Sequence, residues 1–192
     1  LDAQFYGDKW VALTKRARII VYDKVNNPNP TVQKLEDLTD PQYLGTVLSR
    51  SSTSSYNLAL MANHIQKDGY EVSKQLAQGL VKNFARTPTG NDRDQAKSVI
   101  AGLGQYAIMN TYYVAAMERS ADAEEVKVAQ QLGLIYPEET HVNISWIAKI
   151  NGSPNPDNAQ RLIEFLLSET AQKEYADQNG EYPALSSIPV SS

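Results

Sequence analysis

The chain has no cysteine, only two histidines and only three phenylalanines among its 192 residues. Without cysteine, disulfide bonds, thiolate metal sites and cysteine nucleophiles are excluded. The two histidines, His64 and His141, lie far apart and match no zinc-binding spacing. Neither residue type therefore supports a thiolate site or a zinc site in this chain.

Strong charge of either sign and long apolar runs are also missing. The formal net charge is −4 at pH 7, and no run of lysine and arginine occurs, so the composition predicts no binding to nucleic acid or to an anionic membrane surface. No apolar run approaches the ~20 residues that a membrane-spanning helix needs. With 42% hydrophobic and 21% charged residues, the composition is typical of a globular protein.

The abundant aromatic residue is tyrosine, with eleven copies. A phenol combines an apolar ring with a hydroxyl whose pKa is about 10. An excess of such side chains suits a sugar-binding platform, a protein interface or a site for a hard metal ion, and composition alone does not choose between them.

The segment Gln105–Tyr113 places two tyrosines side by side. Tyr106–Met109 is apolar and β-prone, which predicts a short buried strand, and an apolar periodicity predicts a helix over Tyr113–Met117. Tyr112 and Tyr113 are therefore expected where a strand gives way to a helix, which is where open α/β sheets bind ligands. By spacing alone, the pair is more typical of core aromatic residues.

A serine-rich segment, Ser51–Ser55, precedes a second predicted helix. Serine and threonine before an apolar periodic run act as helix N-caps. The free N–H groups and the dipole of a helix start also favour an anion. Tyr56 is expected in the first turn of this helix, and a plain cap without any ligand fits the segment equally well.

Strands and helices are predicted to alternate along the rest of the chain, as in an α/β protein. The predicted strands are Arg16–Tyr22, Thr46–Arg50, Leu134–Tyr136 and His141–Ile150, and the predicted helices are Tyr70–Ala85, Gln95–Leu103, Ser120–Leu132, Pro156–Leu167 and Glu169–Gln178. Asn91 and Asp92 are expected to cap one of these helices. Glu124, Glu125 and Lys127 are expected on the solvated face of another.

Seven segments in a fixed order resemble one protein family. They are WVALTKRAR (10–18), LTDPQYLG (38–45), RSSTSSYN (50–57), NFARTPTGNDRDQ (83–95), NTYY (110–113), THVNIS (140–145) and EFLLSETAQKEYADQNGEYP (164–183). Together they resemble the ferric-ion-binding periplasmic proteins of bacterial ABC transporters, above all the cyanobacterial-type iron-deficiency-induced members.

The resemblance implies a ligand set for Fe(III). The adjacent tyrosines of the family motif fall on Tyr112 and Tyr113, and a third ligand tyrosine falls on Tyr56. Fe(III) is a hard cation that prefers anionic oxygen, and three phenolates would nominally neutralise its charge. The family's remaining ligands come from an N-terminal segment that this sequence does not contain. Candidates to surround the metal and to bind carbonate or another small anion are Arg50, Ser51, Ser52, Asn91 and Asn110.

The resemblance also implies a fold and a setting. It predicts an α/β fold like that of type II periplasmic binding proteins, with one complete α/β lobe and elements of a second, incomplete lobe. Residues 19–147 are assigned to the second lobe, and residues 1–18 and 148–192 to the first lobe or hinge. The implied protein is a non-enzymatic carrier in the bacterial periplasm that delivers iron to an inner-membrane ABC permease. The missing N-terminal lobe, or a complementary fragment, is a further expected partner.

Two other functions remain open at this stage. A binding lobe without metal would capture a phosphate-like anion through Ser51–Ser55 and Asn91. A hydrolase or transferase would use Ser52 or Tyr56 as its nucleophile, although no histidine or lysine base stands in a recognisable motif. A visible absorption band on adding Fe(III) distinguishes the metal carrier from both.

Overall fold

The computed structural model describes residues 5–188. The chain forms two compact units, Ala17–His141 and a smaller one made of Leu1–Arg16 and Val142–Ser192. The unit boundaries thus fall two and six residues before the sequence-based boundaries at 18/19 and 147/148. The assignment of these units to two lobes stays a prediction.

The chain contains both helices and strands, and the predicted mixed α/β class is confirmed. In chain order they are β1 (Tyr6–Gly7), β2 (Trp10–Asp23), two 3₁₀ helices (Leu35–Thr39 and Pro41–Tyr43), β3 (Val47–Leu48), α1 (Ser55–Asp68), α2 (Tyr70–Asn83), α3 (Asp92–Ile100), β4 (Tyr106–Asn110), α4 (Thr111–Glu118), α5 (Ala123–Gln131), β5 (Leu132–Ile135), β6 (Val142–Ala148), α6 (Pro156–Leu166), α7 (Glu169–Asn179) and β7 (Tyr182–Pro183). None of the described helices is both long and apolar enough to cross a bilayer.

The sheet of the larger unit has β4 and β2 at its centre. Strand β4 runs antiparallel to β2, with Ile108 opposite Ile20, and parallel to β3, with Tyr106 opposite Val47. Strand β5 pairs with the other edge of β2. Every residue of β4 is buried, as expected for the short apolar run Tyr106–Met109.

The hydrophobic core lies between this sheet and helices α1 and α2. Ile20, Val47, Tyr106 and Ile108 from the strands pack with buried leucines of the helices. Each such side chain, once buried, contributes about 1.5–3 kcal/mol. This core fixes the start of α1 and the end of β4, which are the two places where the predicted tyrosine ligands lie.

Strand β2 begins six residues earlier than the sequence predicted. In its first part, the buried residues are the small Ala12 and Thr14, whereas Val11 and Leu13 are only partly buried. A hydrophobicity pattern therefore shows no clear alternation there, although the backbone is extended and pairs with β1 and β7.

The smaller unit is held together by a buried amide. The Gln172 side chain on α7 donates to the carbonyl oxygens of Leu13 and Leu166, both at 3.0 Å, and accepts from the Ala184 N–H at 2.8 Å. Helix α6, in contrast, buries none of its residues, and its apolar residues Leu162 and Phe165 are more than half exposed.

The expectation for Glu125 on α5 was wrong. Glu125 is buried and forms ion pairs with Arg93 at 3.1 Å and with Lys97 at 2.9 Å, both on α3. A hydrogen bond from Lys97, with a further one from Ser120, lowers the pKa of Glu125. A charge pattern along one helix cannot reveal a neighbouring helix that supplies two cations.

Candidate metal centre

The predicted tyrosines lie at two helix starts. Helix α4 begins at Thr111, directly after β4, so Tyr112 and Tyr113 occupy its first turn. Tyr56 is the second residue of α1. All three side chains are half-buried. The expected change from strand to helix is present, and the helix starts two residues earlier than the periodicity indicated.

The side chains of these three tyrosines contact one another in the structure. The hydroxyls of Tyr56 and Tyr112 share a hydrogen bond at 3.0 Å, although 56 positions separate them in the sequence. The rings of Tyr112 and Tyr113 stack with centroids 4.2 Å apart. A small hard cation holds oxygen ligands at about 2.0–2.1 Å, so adjacent ligands of an octahedron lie about 2.9 Å apart. The observed spacing of the Tyr56 and Tyr112 oxygens fits two such adjacent positions.

The environment of Tyr112 keeps its proton in place in the absence of a cation. Burial raises the pKa of Tyr112 far above its usual value, and the neighbouring Tyr113 and Tyr56 raise it further. Such a phenol stays neutral at any physiological pH. Only a strong local positive charge, such as a bound metal ion, would reverse this preference.

Two guanidinium groups lie against Tyr56. The central carbon of Arg50 lies 5.3 Å from the centre of the Tyr56 ring, and that of Arg18 lies 5.9 Å from it. Both distances are within the range of cation–π attraction. The positive charges beside the phenols also favour the phenolate form.

Asp92 accepts hydrogen bonds from both arginines. Its Oδ2 accepts from Arg18 Nη1 at 2.7 Å and from the backbone N–H of Asn110 at 2.9 Å, and its Oδ1 accepts from Arg50 Nη1 at 3.4 Å. The Asp92 side chain is 0% exposed and that of Arg18 is 1% exposed. Burial lowers the pKa of Arg18 and Asp92 opposes this effect, whereas for Arg50 the attraction of Asp92 and Tyr113 outweighs burial and raises its pKa.

Asn57 ties Arg18 to the segment that precedes α1. Its side-chain oxygen accepts from Arg18 Nη2 at 2.7 Å, and its side-chain nitrogen donates to the carbonyl oxygens of Arg50 at 2.9 Å and Ser51 at 3.2 Å. Arg18, Asn57 and Asp92 were not predicted as site residues. Each lies inside a family-like segment, and that position was the only signal in the sequence that could have identified them.

The other predicted residues around the site differ in what their side chains do. Asn110 is fully buried, and neither polar atom of its side chain has a hydrogen-bond partner in the described part of the chain. The Ser51 hydroxyl accepts from the Thr53 N–H, and Ser52 is exposed. Asn91 is exposed, and its side-chain oxygen caps α3 as predicted. Of these five residues, Arg50 and Asn110 are the two that donate hydrogen bonds to Asp92 in the described part of the chain.

Histidine and carboxylate metal sites receive no support. The Nδ1 atom of His64 lies 3.3 Å from the Oδ2 atom of Asp68, which is one turn further along α1. Within residues 5–188, no group of three or more histidine, aspartate or glutamate side chains is placed to hold a metal ion.

Comparison with known proteins identifies the family. Residues 4–191 match the model of the bacterial extracellular solute-binding proteins. The chain is 38% identical over 185 residues to iron uptake protein A1 of Synechocystis, covering 94% of this chain and 51% of that protein. It is 24% identical over 175 residues to the major ferric iron-binding protein of Neisseria meningitidis, covering 91% of this chain and 52% of that protein. The chain thus spans about half the length of these curated relatives.

Solved structures give the same result for the fold. A ferric binding protein from Campylobacter jejuni superposes with a TM-score of 0.91 at 38% identity, over 100% of this chain and 63% of that one. A Trichodesmium protein in complex with iron and citrate superposes with a TM-score of 0.93 at 37% identity, over 99% of this chain and 62% of that one. The expected likeness to ferric-binding periplasmic proteins is confirmed, and the chain belongs to the bacterial extracellular solute-binding protein family.

Proposed function

We propose that this chain binds ferric iron through the phenolates of Tyr56, Tyr112 and Tyr113, as part of the substrate-binding component of a bacterial iron ABC transporter. The observation that carries the proposal is the 3.0 Å approach of the Tyr56 and Tyr112 hydroxyls, with Tyr113 stacked beside Tyr112. The names of the Synechocystis and Neisseria relatives, which refer to iron uptake and ferric iron binding, support it.

The chemistry of the donor set suits this cargo. Fe(III) prefers hard, anionic oxygen ligands, and the chain has no cysteine to attract softer metals. Binding replaces the phenol protons with the metal, so that the three negative charges of the phenolates neutralise the three positive charges of Fe(III). The charge of Arg18 and Arg50, only partly balanced by Asp92, further favours the phenolates.

A small anion is proposed to complete the coordination. Among Arg50, Ser51, Ser52, Asn91 and Asn110, the best supported participants are Arg50, which carries the positive charge, and Asn110. A buried amide without hydrogen bonds is unfavourable by about 1–3 kcal/mol, so a bound anion or water that satisfies Asn110 stabilises the site. Carbonate and citrate both have the required chemistry, and citrate accompanies iron in the Trichodesmium structure.

The proposed setting is the bacterial periplasm, where a non-enzymatic carrier delivers iron to a membrane permease. Residues 19–147 are proposed to form most of one jaw of the binding cleft. Residues 1–18 and 148–192 are proposed to pack with the lobe that supplies the remaining ligands, or with a complementary fragment. The phosphate-binding alternative is not favoured, because the relatives named above are iron proteins.

The proposal is tested by adding Fe(III), as its nitrilotriacetate complex, to the purified chain. Phenolate coordination produces a visible charge-transfer band, and the double variant Tyr112→Phe/Tyr113→Phe is expected to abolish it. Tyr70→Phe is the matched control, because Tyr70 is 62% exposed on α2. A parent chain without a band, or a double variant with the full band, would refute the proposal.

A further inference from the structure

We infer that Asp92 is a positioning residue of this site, which holds the Arg50 guanidinium against the phenols before the metal arrives. The inference rests on the proposed function, since it concerns how the same site is organised. Asp92 touches none of the three tyrosines through a described hydrogen bond, and it acts through the groups it holds.

The three donors to Asp92 come from three different segments of the chain. Arg18 belongs to β2, Arg50 precedes the helix that carries Tyr56, and the N–H of Asn110 ends the strand that leads into the other two tyrosines. One buried carboxylate thus joins the segments that supply all the predicted ligands. Removing such a link is expected to loosen the arrangement of the ligands without removing any of them.

The balance of charge gives Asp92 a second role. Two guanidinium groups face one carboxylate, so the cluster keeps one net positive charge close to the Tyr56 ring. Arg50 is 21% exposed at its side chain, and an arginine that is not held gains conformational entropy by turning into the solvent. The contact with Asp92 opposes that movement and keeps the positive charge where phenolates form.

Substituting Asp92 by asparagine separates these contacts. The amide oxygen is expected to take the Oδ2 position, because two strong donors, Arg18 Nη1 and the Asn110 N–H, lie there. The amide NH₂ then faces the Arg50 guanidinium, and because both groups are hydrogen-bond donors, no hydrogen bond forms between them. Asp92→Asn should therefore release Arg50 selectively while the links to β2 and β4 remain.

The experiment is a double-mutant cycle on iron affinity. Fe(III) dissociation constants are measured at pH 7 by competition with citrate for the parent chain, Asp92→Asn, Arg50→Gln and the double variant. We expect Asp92→Asn to weaken binding by about 10–100-fold, which is typical for partners that orient metal ligands. In the Arg50→Gln background the same change is expected to have less than about a twofold effect. The absorption maximum of the iron band should move with Asp92→Asn, which a loss of stability alone would not cause.

Glu125→Gln is the matched control, because Glu125 is likewise a buried carboxylate held by two cations. It should leave iron affinity unchanged. An Asp92→Asn effect that is absent, or that persists undiminished in the Arg50→Gln background, would overturn the inference while the parent chain still binds iron. If neither the parent nor Glu125→Gln develops a band, the proposed function fails and the inference fails with it.

If Asp92→Asn does not fold, a second variant tests whether the position of the Arg50 guanidinium matters for iron binding. Arg50→Lys keeps the positive charge but replaces the planar, multidentate guanidinium by a flexible ammonium. If the held geometry of Arg50 matters, Arg50→Lys weakens iron binding by nearly as much as Arg50→Gln. Parent-like affinity in Arg50→Lys would mean that charge alone suffices, and the inference would be wrong.

Discussion

Proton release is the sharpest consequence of a phenolate site. A phenol with a pKa of about 10 is ionised in roughly one molecule in a thousand at pH 7, and burial raises the pKa of Tyr112 further. Each phenol that coordinates the metal gives up its proton, so coordination by three tyrosines releases about three protons for each ferric ion. Because each released proton makes affinity rise about tenfold per pH unit, the apparent affinity should rise by up to roughly 1000-fold between pH 6 and pH 7.

The assay is titration calorimetry in buffers of different ionisation enthalpy. Iron is presented as its nitrilotriacetate complex, whose own proton exchange is measured separately and subtracted. Tyr112→Phe should release about one proton fewer than the parent chain, while Tyr70→Phe should match the parent. Iron binding without proton release, or with the same release in Tyr112→Phe, would refute the phenolate reasoning.

Further predictions concern stability and the rest of the binding cleft. Asp92→Ala should lower the free energy of unfolding by about 3–5 kcal/mol in urea denaturation, because it leaves Arg18 buried without its main partner; a loss below about 1 kcal/mol would contradict the burial described above. Glu125→Gln should cost about 0.5–1 kcal/mol at pH 7, since its cationic partners are partly exposed. The lowered pKa of Glu125 makes this difference shrink as pH falls below about 4, and a difference that does not depend on pH would be inconsistent with it. The raised pKa of Tyr112 means that the folded iron-free chain should lose stability as pH rises above about 10, and Tyr112→Phe should weaken this loss. A longer protein that joins this chain to the remaining half of its relatives' length should bind Fe(III) more tightly than the chain alone, and equal affinity would contradict the one-jaw proposal.

The local elements around the site could be predicted because short-range patterns determine them. Strand β4 is a short apolar run, and Asn91 is a standard N-cap residue, so both follow from neighbouring positions alone. Tyr112 and Tyr113 were likewise expected at the strand-to-helix junction, although the helix starts at Thr111, two residues before the predicted start at Tyr113. The family-like segments added Tyr56, which no spacing rule connects to the other two tyrosines.

The supporting network could not be predicted because it depends on contacts between distant segments. Asp92 reads as a helix-start residue in the sequence, and only the packing of α3 beside β4 turns it into a buried acceptor for Arg18 and Asn110. Glu125 shows the same limitation, since its cations come from another helix. The first part of β2 was missed because the inward positions are filled by small residues rather than large apolar ones.

The proposed function requires that the phenol oxygen atoms of Tyr56, Tyr112 and Tyr113 bind ferric iron directly. Resonance Raman spectroscopy of the iron-loaded chain, excited within its visible band, tests this most directly, because only phenol rings bonded to the metal are enhanced. We expect strong phenolate ring modes that weaken in Tyr56→Phe and vanish in Tyr112→Phe/Tyr113→Phe. A spectrum of iron-loaded parent chain without phenolate modes would contradict it.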